Sequence, residues 1–308
     1  MSFFADKLLG TPYVAHTLEG DREYLSINVD QLDCTTFVET LAALTKAAKA
    51  KSPSWYAYAS ALESIRYHSG HIDGYASRLH YISAWIIENA NRGNFTEITS
   101  SLPHSEYLTK TINYMSTHRD NYPALADSAT FEGIRNLEAG YNRHMYPYIN
   151  KRNLYKKDLF ADLRDGDIVC LTTKIDGLDV SHLGIVRFVK GKPHLLHASS
   201  TAKKVIVDKD DLFEMLKLSR NVTGIRVVRL TDDSLETKRG LATFRLSALF
   251  ISKTDDYAYL ISMSRVSFGR FSLLSFGNVM SSTPFSTAAP IFSLSTSSGK
   301  IIVCSNFE

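Results

Sequence analysis

Helices first and strands afterwards make this 308-residue chain an α+β protein. Three features carry that expectation. "DCTTFVETLAALTKAAKA" repeats its apolar side chains at helical spacing. Residues 55–150 keep a mostly helical, aromatic-rich texture. After that come "DGDIVCLTT", "HLGIVRFV", "PHLLHAS", "KKVIVD" and "GIRVVRL", short runs of Val, Ile and Leu set apart by Gly, Pro, Asp or Lys, as in an antiparallel sheet. The expected architecture packs the helix that carries Cys34 on an antiparallel sheet of about five to six strands.

A short helix is predicted over residues 2–9, ended by Gly10 and Pro12. The next helix places Phe37, Val38, Leu41, Leu44 and Ala48 on one face. Asp33 suits its N-cap, and Thr36 with Glu39 offers an alternative capping box. An enlarged helical insert is expected over about 52–150, broken by "HSGHIDGYASRLHY" and by Pro103, Pro123 and Pro147. The sequence shows no internal repeat. The main domain is therefore set at 1–230, followed by a Ser-rich appendage over 231–308 of no assigned role. Residues 257–299 hold only two charged side chains, Arg265 and Arg270, among fifteen Ser or Thr. A hairpin around Asp255 and Asp256 is conceivable there, and "SSTPFSTAAPIFSLSTSSGK" resembles low-complexity, poorly ordered chain.

Composition excludes several function classes. At 44% hydrophobic and 22% charged the chain can build a core, and its net charge of +3 is too small to suggest a nucleic-acid partner. Cys34, Cys170 and Cys304 are an odd, irregularly spaced set, neither a disulfide framework nor a structural zinc motif. No H-E-x-x-H or similar ligand set occurs, so no metal and no cofactor are expected. No apolar window reaches the ~18 residues of a spanning helix. "MSFFADKLLGTPYV" is not a signal peptide as written. A monomer is expected.

Chemistry concentrates on three side chains. Cys34 follows the Asp33 cap, where unpaired N–H groups and the helix dipole favour a thiolate. The Asp33 carboxylate opposes this, so a neighbouring imidazole is needed. His182 in "DVSHLGIVRFV" opens one strand, and His197 in "HLLHASS" closes the next. The short "VKGKP" turn between those strands brings the two rings side by side, one as a base and the other as its orienter. Each residue also has a plain structural reading: a free Cys is commonly a small core residue, as expected for Cys170 in "DIVCL". His16, His68, His71, His104, His118, His144 and His194 are read as surface or internally satisfied, and Ser199 and Ser200 as structural.

In order along the chain, "GTPYV", "LDCTTFVETLAAL", "DGDIV", "SHLGIV" and "LHASS" resemble the NlpC/P60 family of papain-like cysteine hydrolases. "RYHSGHIDGYASRLHYISAWI" and "TTKIDGLDVSHLGI" resemble one branch more closely, the DUF1460 family of N-acetylmuramoyl-L-alanine amidase-like proteins. The resemblance spans residues 8–230. It implies a papain-like fold with Cys34 as nucleophile, His182 as base and later acid, and His197 as orienter. Tyr13 would line the pocket near the oxyanion. The implied substrates are peptidoglycan fragments, cut between N-acetylmuramic acid and L-alanine in cell-wall turnover or recycling. The implied compartment is the bacterial envelope or periplasm, and the cytoplasm if the N-terminus is complete. A stem-peptide endopeptidase or an acyltransferase would use the same residues, and a non-catalytic wall-binding module is the alternative outside enzymes.

The break "GYASRLHY" adds Arg78, His80 and Tyr81 as candidate substrate-binding residues, since binding groups often sit in such breaks. Arg78 would fork onto a substrate carboxylate or pair with an internal acid; Tyr81 would bind or pack the insert. Asp179 and Ser181, flanking His182, are candidates for the rim of the pocket.

Overall fold

The computed structural model describes residues 1–142, 144–231, 292–297 and 300–305. Helices α1 (Ser2–Lys7), α2 (Cys34–Lys49), α3 (Trp55–Arg66), α4 (Ile82–Asn91), α5 (Tyr114–Thr117), α6 (Ser128–Tyr141) and α7 (Leu212–Leu218) surround a central sheet. The strands are β1 (Leu25–Ile27), β2 (Phe95–Glu97), β3 (Ser105–Thr109), β4 (Met145–Asn150), β5 (Ile168–Thr173), β6 (Val180–Val189), β7 (Lys192–Ser199), β8 (Lys204–Asp211) and β9 (Val222–Leu230), with β10 (Phe292–Ser297) and β11 (Lys300–Ser305) from the tail. The architecture is α+β, and every strand pair in the central sheet is antiparallel.

The sheet has eight strands among the described residues, ordered β3-β4-β9-β5-β6-β7-β8 with β2 added along β9. The expectation of five to six is corrected upward, because β2, β3 and β4 come from the stretch read as helical insert. Pro147 hid β4. That strand pairs along its length with β3 but meets β9 only at Ile149 and Asn150, so a residue without N–H is tolerated on the unladdered side.

Alternation divides β5 between two cores. Ile168 and Cys170 join Phe37, Val38 and Leu41 of α2 on one face. Val169 and Leu171 join Leu212 and Leu216 of α7 on the other. All six β5 residues are buried, as expected for a central strand covered on both faces. Cys170 is a core residue, as its sequence context suggested.

Two segments of the tail are described, and both are strands. β10 and β11 form an antiparallel hairpin, and β11 adds to β1 through Leu25↔Val303, Ser26↔Ile302 and Ile27↔Ile301. "FSLS" at the start of β10 alternates apolar and hydroxyl residues at period two, a strand pattern that a count of serines obscures. The hairpin expected around Asp255 and Asp256 lies outside the described residues.

α2 is fixed to its neighbours by a buried ion pair. Arg66 Nε donates to Glu39 Oε2 at 2.7 Å and Arg66 Nη1 to the Ser26 carbonyl at 2.6 Å, which joins α3, α2 and β1. Both side chains are fully enclosed. Glu39→Ala should therefore cost about 3–5 kcal/mol by leaving a buried guanidinium unpaired, whereas the double change Glu39→Met, Arg66→Leu should restore much of that loss. Urea denaturation of the two variants checks this; equal destabilisation by both would show that packing, and not charge, governs the site.

Candidate active site

Cys34 is the first residue of α2, and the turn that presents it is closed reciprocally. Thr36 N–H donates to Asp33 Oδ1 at 2.8 Å, and Asp33 N–H donates to Thr36 Oγ1 at 2.9 Å. The capping box is thus Asp33 with Thr36, not Thr36 with Glu39, because Glu39 turns inward to Arg66. The lead-in is pinned as well: Leu32 N–H donates to the Pro12 carbonyl at 3.0 Å and Tyr13 N–H to the Lys203 carbonyl at 2.9 Å. Tyr13 stands close enough to Cys34 and Asp33 for their charges, after burial, to raise its phenol.

β6 runs past the sulfur. The Leu183 N–H donates to Cys34 Sγ, so the thiol lies against the residue that follows His182. The β5–β6 register shifts there, from Leu171↔His182 to Thr172↔Val180, which leaves Ser181 as the extra residue of a bulge. Bulges re-aim side chains, and this one sits immediately before the imidazole. His182 Nε2 and His197 Nδ1 are hydrogen-bonded at 2.6 Å, with the rings nearly perpendicular at 87°. Gly184 permits the approach: a Cβ there would lie 2.8 Å from the His197 Cβ and 2.8 Å from the Leu196 carbonyl oxygen. The glycine that the sequence placed near His182 serves the neighbouring strand.

Electrostatics set the resting state. Burial, reinforced by the Asp33 carboxylate, pushes the Cys34 thiol up to about 11. Burial, then the neighbouring His197, pushes His182 down to about 3, and burial lowers His197 against the pull of Asp208. At neutral pH Cys34 is therefore held as a thiol and His182 as an uncharged imidazole. The thiolate expected from the helix end is outweighed by desolvation, which sequence spacing does not report. Sequence reasoning also missed Asp208, whose Oδ2 lies 3.7 Å from His197 Nε2. The only signal was an Asp interrupting the strand pattern "KKVIVDKDD".

The remaining candidates divide. Ser181 is exposed at the bulge, and Tyr13 flanks the sulfur. Arg78 is buried and paired with Glu19 at 2.7 Å and Glu23 at 3.6 Å, with its guanidinium 4.8 Å from the Tyr75 ring centroid, so the internal-acid alternative describes it. Tyr81 is buried; its hydroxyl donates to Glu138 Oε1 at 2.7 Å and accepts from Met115 N–H at 2.8 Å, a packing role within the insert. Asp179 is buried and accepts from Ser83 N–H at 2.5 Å and Val180 N–H at 2.8 Å. It thereby caps α4 and ties the insert to the strand of His182, in place of lining a rim. His80 Nε2 bonds the Tyr75 carbonyl at 2.8 Å, and burial followed by the Arg78 charge pushes its imidazole down to about 3. Among the described residues no three His, Cys, Asp or Glu side chains converge as metal ligands.

The model of the AmiA-like family, described as N-acetylmuramoyl-L-alanine amidase-like, matches residues 3–225. The chain belongs to that family. It is 40% identical to an N-acetylmuramoyl-L-alanine amidase from Bacteroides uniformis over 75% of this chain and 97% of that one, with a TM-score of 0.71. A candidate xylanase from Bacteroides fragilis is also 40% identical, over 73% of this chain and 99% of that one, at a TM-score of 0.70. A DUF1460 protein from Legionella pneumophila, 23% identical over 75% of this chain and 88% of that one, shares the fold at a TM-score of 0.58. No curated protein matches the chain. No helix among the described residues is long and apolar enough to cross a membrane.

Two measurements probe this site. Gly184→Ala should destabilise the protein by about 1–3 kcal/mol through backbone crowding, whereas Gly140→Ala, in α6 with open space around it, should be neutral or stabilising. Chemical denaturation separates them, and a neutral Gly184→Ala would contradict the close strand approach. His80 and His182 are held uncharged in the fold, with values near 3 against the ordinary 6.5. Below pH 6.5 the unfolded chain binds more protons, so stability should fall as pH drops, by up to about 1.4 kcal/mol per unit for each histidine. His80→Gln should flatten that slope in melts between pH 7 and 5; an unchanged slope would mean that His80 charges freely in the fold.

Proposed function

We propose that the protein is a cysteine-dependent amidase of the papain-like NlpC/P60 type, hydrolysing the amide between N-acetylmuramic acid and L-alanine in peptidoglycan fragments during cell-wall turnover or recycling. The observation that carries this reading is the His182 Nε2–His197 Nδ1 bond beside a thiol on a helix tip. That bond occupies Nε2 and leaves His182 Nδ1 as the base for Cys34. The thiol gives its proton to Nδ1 as the sulfur attacks the lactyl carbonyl. Backbone N–H groups at the start of α2 stabilise the oxyanion, each by about 3 kcal/mol. The tetrahedral intermediate collapses with the C–N bond breaking, and His182 protonates the leaving amine of L-alanine. A water, deprotonated by His182, then cleaves the thioester and releases the sugar acid, which returns the thiol.

The groups gathered at this site suit acyl transfer better than glycoside hydrolysis, which takes two carboxylates flanking the scissile bond. Asp33 and Asp179, the acids nearest in sequence to Cys34 and His182, are both engaged with backbone N–H groups. Family membership and the neighbour from Bacteroides uniformis support the choice of bond.

The test is mass spectrometry of defined muropeptides incubated with the parent and with Cys34→Ser. Free stem peptide plus sugar acid should form with the parent and fall by about a thousandfold or more in the variant. Cleavage inside the stem peptide would move the enzyme to the endopeptidase reading with the same residues, and equal turnover by both proteins would sink the cysteine mechanism.

A further inference from the structure

We propose that Asp208 is the positioning residue that fixes the tautomer of His197, and through it leaves His182 Nδ1 unprotonated toward Cys34; this rests on the cysteine amidase reading above. His197 is buried, and its Nε2 has no hydrogen-bond partner. The group facing that nitrogen is the Asp208 carboxylate, with Oδ2 at 3.7 Å. Asp208 Oδ1 is held separately by Asp210 N–H at 3.2 Å, and His194 Nδ1 bonds the Asp208 carbonyl at 2.9 Å. The β7–β8 register explains the placement. It runs from His194↔Asp211 to Leu196↔Val207, so three β8 residues stand opposite one on β7. Asp208 is the first residue of this bulge, and the bend turns it back on His197.

The tautomer argument is one of proton counting. A carboxylate facing His197 Nε2 favours a proton on that nitrogen, which leaves Nδ1 as an acceptor. His182 must then donate through Nε2, and its Nδ1 carries the lone pair that takes the Cys34 proton. In the opposite tautomer a lone pair of His197 would face the carboxylate, His197 Nδ1 would donate to His182 Nε2, and His182 Nδ1 would hold a proton and could not act as base. Once the Cys34 proton has reached His182, the positive charge shared along the pair is offset by Asp208. The 3.7 Å separation exceeds hydrogen-bond length, and such contacts tighten when substrate binds. The titratable groups acting on the pair are each ring on the other and the Asp208 carboxylate of β8 on His197; Cys34, its cap Asp33 and Tyr13 form the neighbouring cluster at the start of α2.

The experiment compares the full chain with Asp208→Asn and Asp208→Glu by three readouts. In ¹⁵N NMR of the imidazoles, the parent should show His197 protonated at Nε2, and Asp208→Asn should lose that preference. The pH midpoint for alkylation of Cys34 by iodoacetamide should rise by about one unit in Asp208→Asn, a tenfold slower reaction near neutrality, and return toward the parent in Asp208→Glu. On muropeptides, kcat should fall by about 10–100-fold with KM little changed. An unchanged tautomer and alkylation profile would overturn the proposal, even if Asp208→Asn lost activity together with thermal stability, since that pattern marks a purely structural residue. If the parent cleaves no muropeptide, the amidase reading fails, while the NMR and alkylation results still decide the role of Asp208.

Discussion

A side chain at position 184 would push β7 away from β6, and everything chemical in this protein depends on those strands staying close. The two histidines are bonded only because the backbone opposite His197 carries no Cβ. On one side, the bulge at Ser181 aims His182; on the other, the helix that bears Cys34 is locked by its cap and by the Glu39–Arg66 pair beneath. The site is thus assembled from three rigid elements, none of them a loop free to wander, as a reaction needing sub-ångström alignment requires.

Much of this was legible in the sequence, and the failures have physical causes. The helix of Cys34 was marked by its cap and its apolar spacing, and the β6–β7 pairing by a short turn between two apolar runs. Those local signals pointed to Cys34, His182 and His197, and the structure hydrogen-bonds the two histidines to each other. The strands β2, β3 and β4 were not legible: they are short, one contains Pro147, and β2 and β4 pair with β9, far away in sequence, while β3 pairs only with β4. The ionisation of the site was misjudged for the same kind of reason. A helix end is visible as a motif, whereas burial of the thiol depends on β6 packing over it. Arg78 and Asp179 were identified as polar residues in suggestive places; what they touch is decided by Glu19, Glu23 and Ser83, partners that no spacing rule could name.

The resting state has a chemical sense of its own. A thiol held protonated beside an uncharged imidazole is a poor nucleophile toward oxidants and stray electrophiles. In the proposed mechanism, ionisation moves the proton to His182 as the sulfur attacks, and oxyanion donors at the start of α2 take up the charge that forms.

The cap that Asp179 supplies to α4 sets a limit on how chains of this family can change length. Its carboxylate is three positions ahead of the base and reaches across to the second residue of a helix almost a hundred positions earlier. Near that contact, Arg226 of β9 donates to Ser83 Oγ at 2.8 Å and to Glu97 of β2 at 2.8 Å, so strand and insert share one polar joint. Residues added or removed between Asp179 and His182, or at the first turn of α4, would break the joint and misplace the base together. The joint is therefore a mechanical link: a shift of the first turn of α4 is carried to the strand of His182 through one buried carboxylate.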